Sequence, residues 1–158
     1  MGYTHYFEVK NPKTSEWQTA WSQLVQDVPK IVEAAGIDIS GPSLDEDIVT
    51  PLLADTKKGI GLNGVGSDGA HETLLIEPKN WEDLNFCKTE RKEYDEVVTC
   101  VLLRAFMLAP ENFSVSSDGY WDEWNEGKDL YQRLWPQDEI RCPLPDEGEE
   151  DEVDMVEE

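Results

Sequence analysis

The sequence predicts a single α+β domain over residues 1–143, a mainly antiparallel sheet packed with two to three helices, followed by an acidic disordered tail at 144–158. Three observations carry this. Strand-like and helix-like segments are mixed without regular βαβ alternation. The stretch RKEYDEVVTCVLLRAFMLA, 91–109, is apolar almost all round in its second half, as a central buried helix must be. The stretch LPDEGEEDEVDMVEE, 144–158, holds nine acids and no base, with too few apolar groups to fold alone.

The elements follow in order. YTHYFEV, 3–9, is aromatic and β-branched and reads as a strand. Thr14 or Ser15 caps a helix in which Trp17, Ala20, Trp21, Leu24, Val25, Val28, Ile31 and Val32 recur at spacings of three and four. Pro29 is expected to kink or divide that helix, and Gly36 to stop it. IDISGP reads as a short strand and residues 41–58 as a long loop. GIGLNG, HETLLIEP, NFCKT and NFSVSS read as further strands, and DGYWDEWNEGKDLYQRLW as a third helical segment ended by Pro136.

The chain has 35 acids against 13 bases, a net charge of −22, and residues 1–143 still carry about −13. Nucleic-acid binding requires cations that replace counterions, so nucleic acid is not an expected partner, and anionic membranes are disfavoured for the same reason. No apolar run approaches the roughly 20 residues of a membrane span. Tyr6 stands where a myristoylation signal at Gly2 would need Ser or Thr. Three widely spaced cysteines, Cys87, Cys100 and Cys142, point to a reducing cytoplasm and form no zinc pattern. No cofactor or metal is implied, and homo-oligomerisation is left open.

Gly64, Gly66 and Gly69 spell G-x-G-x-x-G, the dinucleotide fingerprint. That fingerprint needs a helix after the glycines, and here His71-Glu-Thr-Leu-Leu-Ile and Pro78 follow instead. The loop therefore reads as a turn between strands.

The two histidines, His5 and His71, both fall on predicted strands. His-x-Thr followed by apolar residues is one half of a 2H phosphoesterase site, where paired histidines act as general acid and base. The second half would be HYF, with Phe7 where Thr or Ser should hold a phosphate oxygen. Elsewhere, Lys88, Thr89, Arg91 and Lys92 crowd the entry to the strongest helix. The helix dipole disfavours cations there, which makes sense if an anion binds among them. Arg91 can instead pair with Asp95 at i, i+4. Tyr3, Tyr6, Tyr94 and Tyr120 lie beside these segments and can wall a nucleobase. Asp118, in SSDG, is placed either to cap a turn or to bind a ribose hydroxyl.

MGYTHYF, HETLLI, FCKTERKEYDEVV and VSSDGYWDEW together resemble an uncharacterised family of small proteins of tailed phages and bacteria, over roughly residues 1–135. Glu93 stands where that family's pattern has a proline. The resemblance implies an intracellular, phage-related setting, in the host cytoplasm if the chain is phage-encoded, and implies no reaction. Three expectations stand. The first is a binding protein that captures a small anionic, nucleotide-like ligand with His5, His71, Lys88, Thr89, Arg91, Lys92, Tyr94 and Asp118, in a phage setting sequestering a host immune signal. The second is a phosphoesterase using His5 and His71, with Lys88 or Arg91 on the phosphate. The third is an acidic interaction protein or DNA mimic.

Overall fold

The computed structural model describes residues 3–45, 47–78, 81 and 83–144. Strand β1 (Thr4–Val9) lies between β5 (Asn85–Lys88) and β6 (Phe113–Ser117), antiparallel to both. A second antiparallel sheet takes β2 (Leu53–Asp55), β3 (Gly59–Leu62) and β4 (Leu74–Ile76), with β3 in the middle. The helices are α1 (Ser15–Ala35), the single turn α2 (Gly66–Gly69), α3 (Asp95–Leu108) and α4 (Asn125–Leu134), the last entered through a 3-10 turn at Trp121–Trp124. The class is α+β, as predicted, but the strands divide into two small sheets.

The Thr14 hydroxyl accepts the Trp17 amide at 3.2 Å and starts α1, and Gly36 ends it at φ 68°. The predicted apolar face is the buried one. Trp17 stacks on Phe113 and meets Trp21 and Trp81 edge-on or tilted, which seals β6 to the helix layer. The helix is not divided at Pro29: it runs from Ser15 to Ala35 with Val28 and Ile31 both fully buried on one face.

Helix α3 is the central element, buried from Val97 to Ala105. It begins at Asp95, four residues later than the sequence suggests, because Glu90 and Arg91 adopt left-handed φ of 55° and 61°. The residues 89–92 form a turn instead, with the Lys92 amide bonded to the Thr89 carbonyl.

Residues 41–58 are not all loop, since β2 pairs with β3 through a turn at Asp55–Gly59. Gly59 has φ +116°, and a Cβ there would lie 2.5 Å from the Ile76 carbonyl oxygen, so this position accepts no other residue without a shift. IDISGP contributes only a bridge between Ser40 and Asn63. Leu144, the first residue assigned to the tail, is buried against the core, and residues 145–158 lie outside the described residues. No helix among the described residues is long and apolar enough to cross a membrane.

Candidate functional site

The segments singled out in the sequence converge on the Thr4 end of β1. Alternation along β1 sends His5, Phe7 and Val9 inward and Tyr6 and Glu8 outward, while Thr4, on the side of Tyr6 and Glu8, is buried as well. Cross-strand partners share a face, so the register fixes what stands beside each one.

Inward, His5 is fully buried. Its Nε2 lies 2.7 Å from Asp95 Oδ1 and its Nδ1 lies 2.8 Å from Ser117 Oγ. The carboxylate only accepts, which places a proton on Nε2, and Nδ1 shares a hydrogen bond with the Ser117 hydroxyl. Asp95 Oδ1 also accepts the Thr89 hydroxyl at 2.6 Å, and the Gly119 amide donates to Ser117 Oγ at 3.0 Å. Tyr3 and Trp124 meet the imidazole edge-on from two sides. Every polar atom of the ring has a partner and none reaches solvent. The chain Thr89–Asp95–His5–Ser117 is therefore a brace that fastens the α3 start to β1 and β6, and leaves no ring nitrogen of His5 free for a ligand.

Thr89 and Tyr94, also expected at the ligand, are likewise turned inward. Both are fully buried, and the Tyr94 hydroxyl donates to the Glu72 carbonyl at 2.5 Å, fixing the HET segment from behind. Burial pushes the Tyr94 hydroxyl and the Cys87 thiol far above their ordinary pKa, so neither ionises. The carboxylate of Glu72 accepts the Lys88 amide at 2.8 Å.

His71 is not joined to His5. It precedes β4 rather than lying in it, and Asn63 holds its backbone through two bonds, His71 N–H to Asn63 Oδ1 and Asn63 Nδ2 to the His71 carbonyl. Its exposed side chain lines a cavity of about 360 Å³ with Ser40, Asp45, Ile48 and Thr73. The glycine turn around Gly66–Gly69 belongs to this second region. The pair required by the phosphoesterase expectation is thus not assembled: both His5 ring nitrogens are bonded to Asp95 and Ser117, and His71 lines a cavity that His5 does not.

Arg91 is also committed. Its guanidinium lies 4.0 Å over the Tyr3 ring and donates to Glu123 at 2.6 Å, which raises its pKa further. It pairs with Glu123 and not with Asp95, whose oxygen is taken by His5 and Thr89. Arg91 and Lys92 line a cavity of about 240 Å³ whose other charged walls are Glu93, Asp95, Glu96, Glu123 and Glu126. Acids outnumber bases there, so the cavity does not favour an anion.

The outward face of the first sheet carries what remains. Thr4 opposes Lys88 on one side, and on the other exchanges bonds with Asp118: Asp118 N–H to the Thr4 carbonyl at 2.9 Å, and Thr4 N–H to Asp118 Oδ2 at 3.2 Å. Lys88–Thr4–Asp118 is one cross-strand row. The next row is Phe86–Tyr6–Ser116, with the Phe86 and Tyr6 rings 6.4 Å apart and Phe86 59% exposed. Lys88 is 40% exposed, and its pairing with Glu90 is a long 3.9 Å. Sequence reasoning missed Phe86. The period-two alternation in NFCKT, which puts Phe86 on the face of Lys88, was the available signal.

Among the described residues no group of three or more His, Cys, Asp or Glu side chains is placed to hold a metal ion. No protein-family model, curated protein or solved structure matches the chain.

Proposed function

We propose that this chain is a binding protein that captures a small anionic, nucleotide-like ligand on the outward face of the first sheet. One observation carries the reading: an aromatic row, Phe86–Tyr6, lies directly beside a row that ends in a half-exposed Lys88 and an exposed Asp118. Aromatic rings on an open sheet give a base a stacking surface, a weakly paired ammonium receives a phosphate, and a carboxylate receives a hydroxyl. A small ligand meets only this local charge, whereas a long polyanion meets the whole acidic surface. In the phage-related setting implied by the resemblance, the role we propose is sequestration of a host nucleotide signal.

The test is to incubate the protein with cyclic and linear nucleotides, remove free ligand, denature by heat and weigh what is released. Intact recovery supports capture, a changed mass supports an esterase, and no uptake by any member counts against both.

A second reading has its own observation. Glu96, Glu126 and Asp129 share the groove between α3 and α4, and burial together with Glu126 and Glu93 raises the Glu96 carboxyl above the usual range. Arg133 stands in the same groove, 3.9 Å from Glu96, so three acids face one base, and that excess of acid suits a basic protein partner, the acidic-interaction reading. It predicts salt-sensitive binding of a lysine-rich peptide that Glu96→Gln with Glu126→Gln abolishes.

A further inference from the structure

Resting on the acid excess of the groove between α3 and α4, and apart from the nucleotide reading, we propose that this groove takes a linear aliphatic diamine or triamine whose ammonium groups sit between its acidic walls. Two cavities, of about 600 Å³ and about 240 Å³, adjoin there and share Glu96 and Glu126. Gly127 and Thr99 line the smaller one, and Gly127 is what lets α4 come so near α3, since a Cβ there would collide with the Thr99 hydroxyl.

Charge sets the class of ligand. Of the charged residues around the two cavities, Arg91 is bonded to Glu123, and Asp95 to His5 and Thr89. That leaves Glu93, Glu96, Glu126 and Asp129 against Lys92 and Arg133, an excess of two negative charges. Burial, then Glu126, raises the Glu96 carboxyl, with smaller contributions from Glu93 and Asp129, so these acids act on one another across the groove. The excess is spread out, because among the described residues no three of them are placed to hold a metal ion. A ligand that neutralises it therefore carries two separated charges. Glu126 and Asp129 stand three residues apart on α4, which puts their Cβ atoms about 5–6 Å apart, and a spacer of three or four methylenes gives two ammonium groups a matching separation. The stems of Gln132 and Arg133 offer methylene surface to that spacer.

A buried polar group points to the same kind of ligand. Tyr3, 3% exposed, lines the smaller cavity, and its hydroxyl has no hydrogen-bond partner among the described residues. The Ser117 hydroxyl beside it is committed to His5 and to the Gly119 amide. Burial raises the pKa of the Tyr3 hydroxyl, and Asp95 and Glu123, two walls of the same cavity, raise it further, so it stays protonated. An ammonium N–H supplies the donor that its oxygen lacks, while the surrounding carboxylates balance the charge.

Isothermal titration of the full chain at low salt with the diamine putrescine, the triamine spermidine, the monoamine butylamine, magnesium chloride and an octalysine peptide tests this. Putrescine or spermidine should bind, butylamine about tenfold or more weakly, and equimolar magnesium should not displace them. Glu126→Gln with Asp129→Asn should weaken oligoamine binding about tenfold or more, and Tyr3→Phe about threefold. Glu33→Gln with Glu111→Gln removes the same charge from exposed positions elsewhere and should leave affinity within about a factor of two. The inference falls if butylamine binds as well as the oligoamines, if magnesium displaces them, if Tyr3→Phe binds as the parent does, or if the Glu33 and Glu111 variant loses as much as the groove variant. In any of those cases, octalysine binding that Glu96→Gln with Glu126→Gln abolishes keeps the protein-partner reading. If the oligoamines bind as expected and octalysine does not, the inference holds and the protein-partner reading falls. If neither binds, both fall.

Discussion

His5 and Asp95 are 90 residues apart in the chain and 2.7 Å apart in the fold. The bond between them is the meeting point of β1 and the first turn of α3, and it is closed from both ends by Ser117 and Thr89. Such a chain of satisfied groups defines one arrangement of three elements, because any shift leaves a buried donor or acceptor bare. The residues that mark the sequence most strongly therefore support the sheet face from beneath it.

Removal of the Asp95 carboxylate should show this. Asp95→Ala strands the His5 and Thr89 donors, and each buried donor without a partner costs about 1–3 kcal/mol. Urea unfolding should report a loss of about 2–4 kcal/mol at an unchanged m-value. A loss below about 1 kcal/mol would show that the brace is dispensable.

A second buried pair holds the far end of the molecule. Arg104 Nε donates to the fully buried Asp27 at 2.8 Å, and the same guanidinium reaches the Tyr131 hydroxyl and Asp138 and lies 3.9 Å over Trp135. Arg104→Met leaves the buried Asp27 with only the Gln23 amide at 2.9 Å and the mostly exposed Lys30 ammonium at 3.7 Å, and should destabilise by about 3 kcal/mol. Adding Asp27→Leu should recover most of that loss, and a double-mutant cycle in urea measures the coupling.

Glu90 has φ 55°, a left-handed conformation that costs a residue with a Cβ about 1–2 kcal/mol. Among the described residues its side chain pairs with Lys88 at a long 3.9 Å. Glu90→Gly relieves the strain and loses some of the gain to unfolded-chain entropy, for a net stabilisation of about 0.5–1 kcal/mol. A lower unfolding midpoint for this variant would refute it.

Arg91→Ala should separate the two basic roles. The pair with Glu123 is largely exposed, at 58% for Arg91, so its loss should cost no more than about 1 kcal/mol. Ligand affinity should stay within a factor of two or so of the parent, because the phosphate sits on Lys88. A large affinity loss in titration would return Arg91 to the binding site.

Glu96 supplies a pH signature. Burial, then Glu126, raises its carboxyl pKa in the folded state. Between the unfolded and the raised folded pKa the native state binds more protons, so stability falls as pH rises through that interval. The penalty is absent below the unfolded pKa and complete above the folded one. Glu96→Gln should therefore raise Tm at neutral pH and leave it unchanged near about pH 3, as scanning calorimetry can check. A gain that is the same at both pH values would assign the effect to packing.

Much of the fold was legible because it is written in local periodicity. Trp17, Trp21, Leu24, Val28 and Ile31 face one way in any helix, and the apolar length of α3 leaves it nowhere to sit but the centre. Alternation likewise exposed β1, β5 and β6. Pairing was not legible. Short strands of three or four residues carry too little pattern to say which sheet they join, so the separation of His71 from His5 appeared only with the register.

The sequence by itself determined the α+β class, the capped α1, the buried α3, the acidic surface and the group of segments that meet at one end of β1. Only the tertiary structure decided which side of that meeting each residue takes. A one-residue step along a strand reverses a side chain, so His5 is sealed against Asp95 while Tyr6 opens outward. The left-handed turn at Glu90 and Arg91 carries Arg91 to Glu123, and leaves Lys88 with Phe86 on the open face.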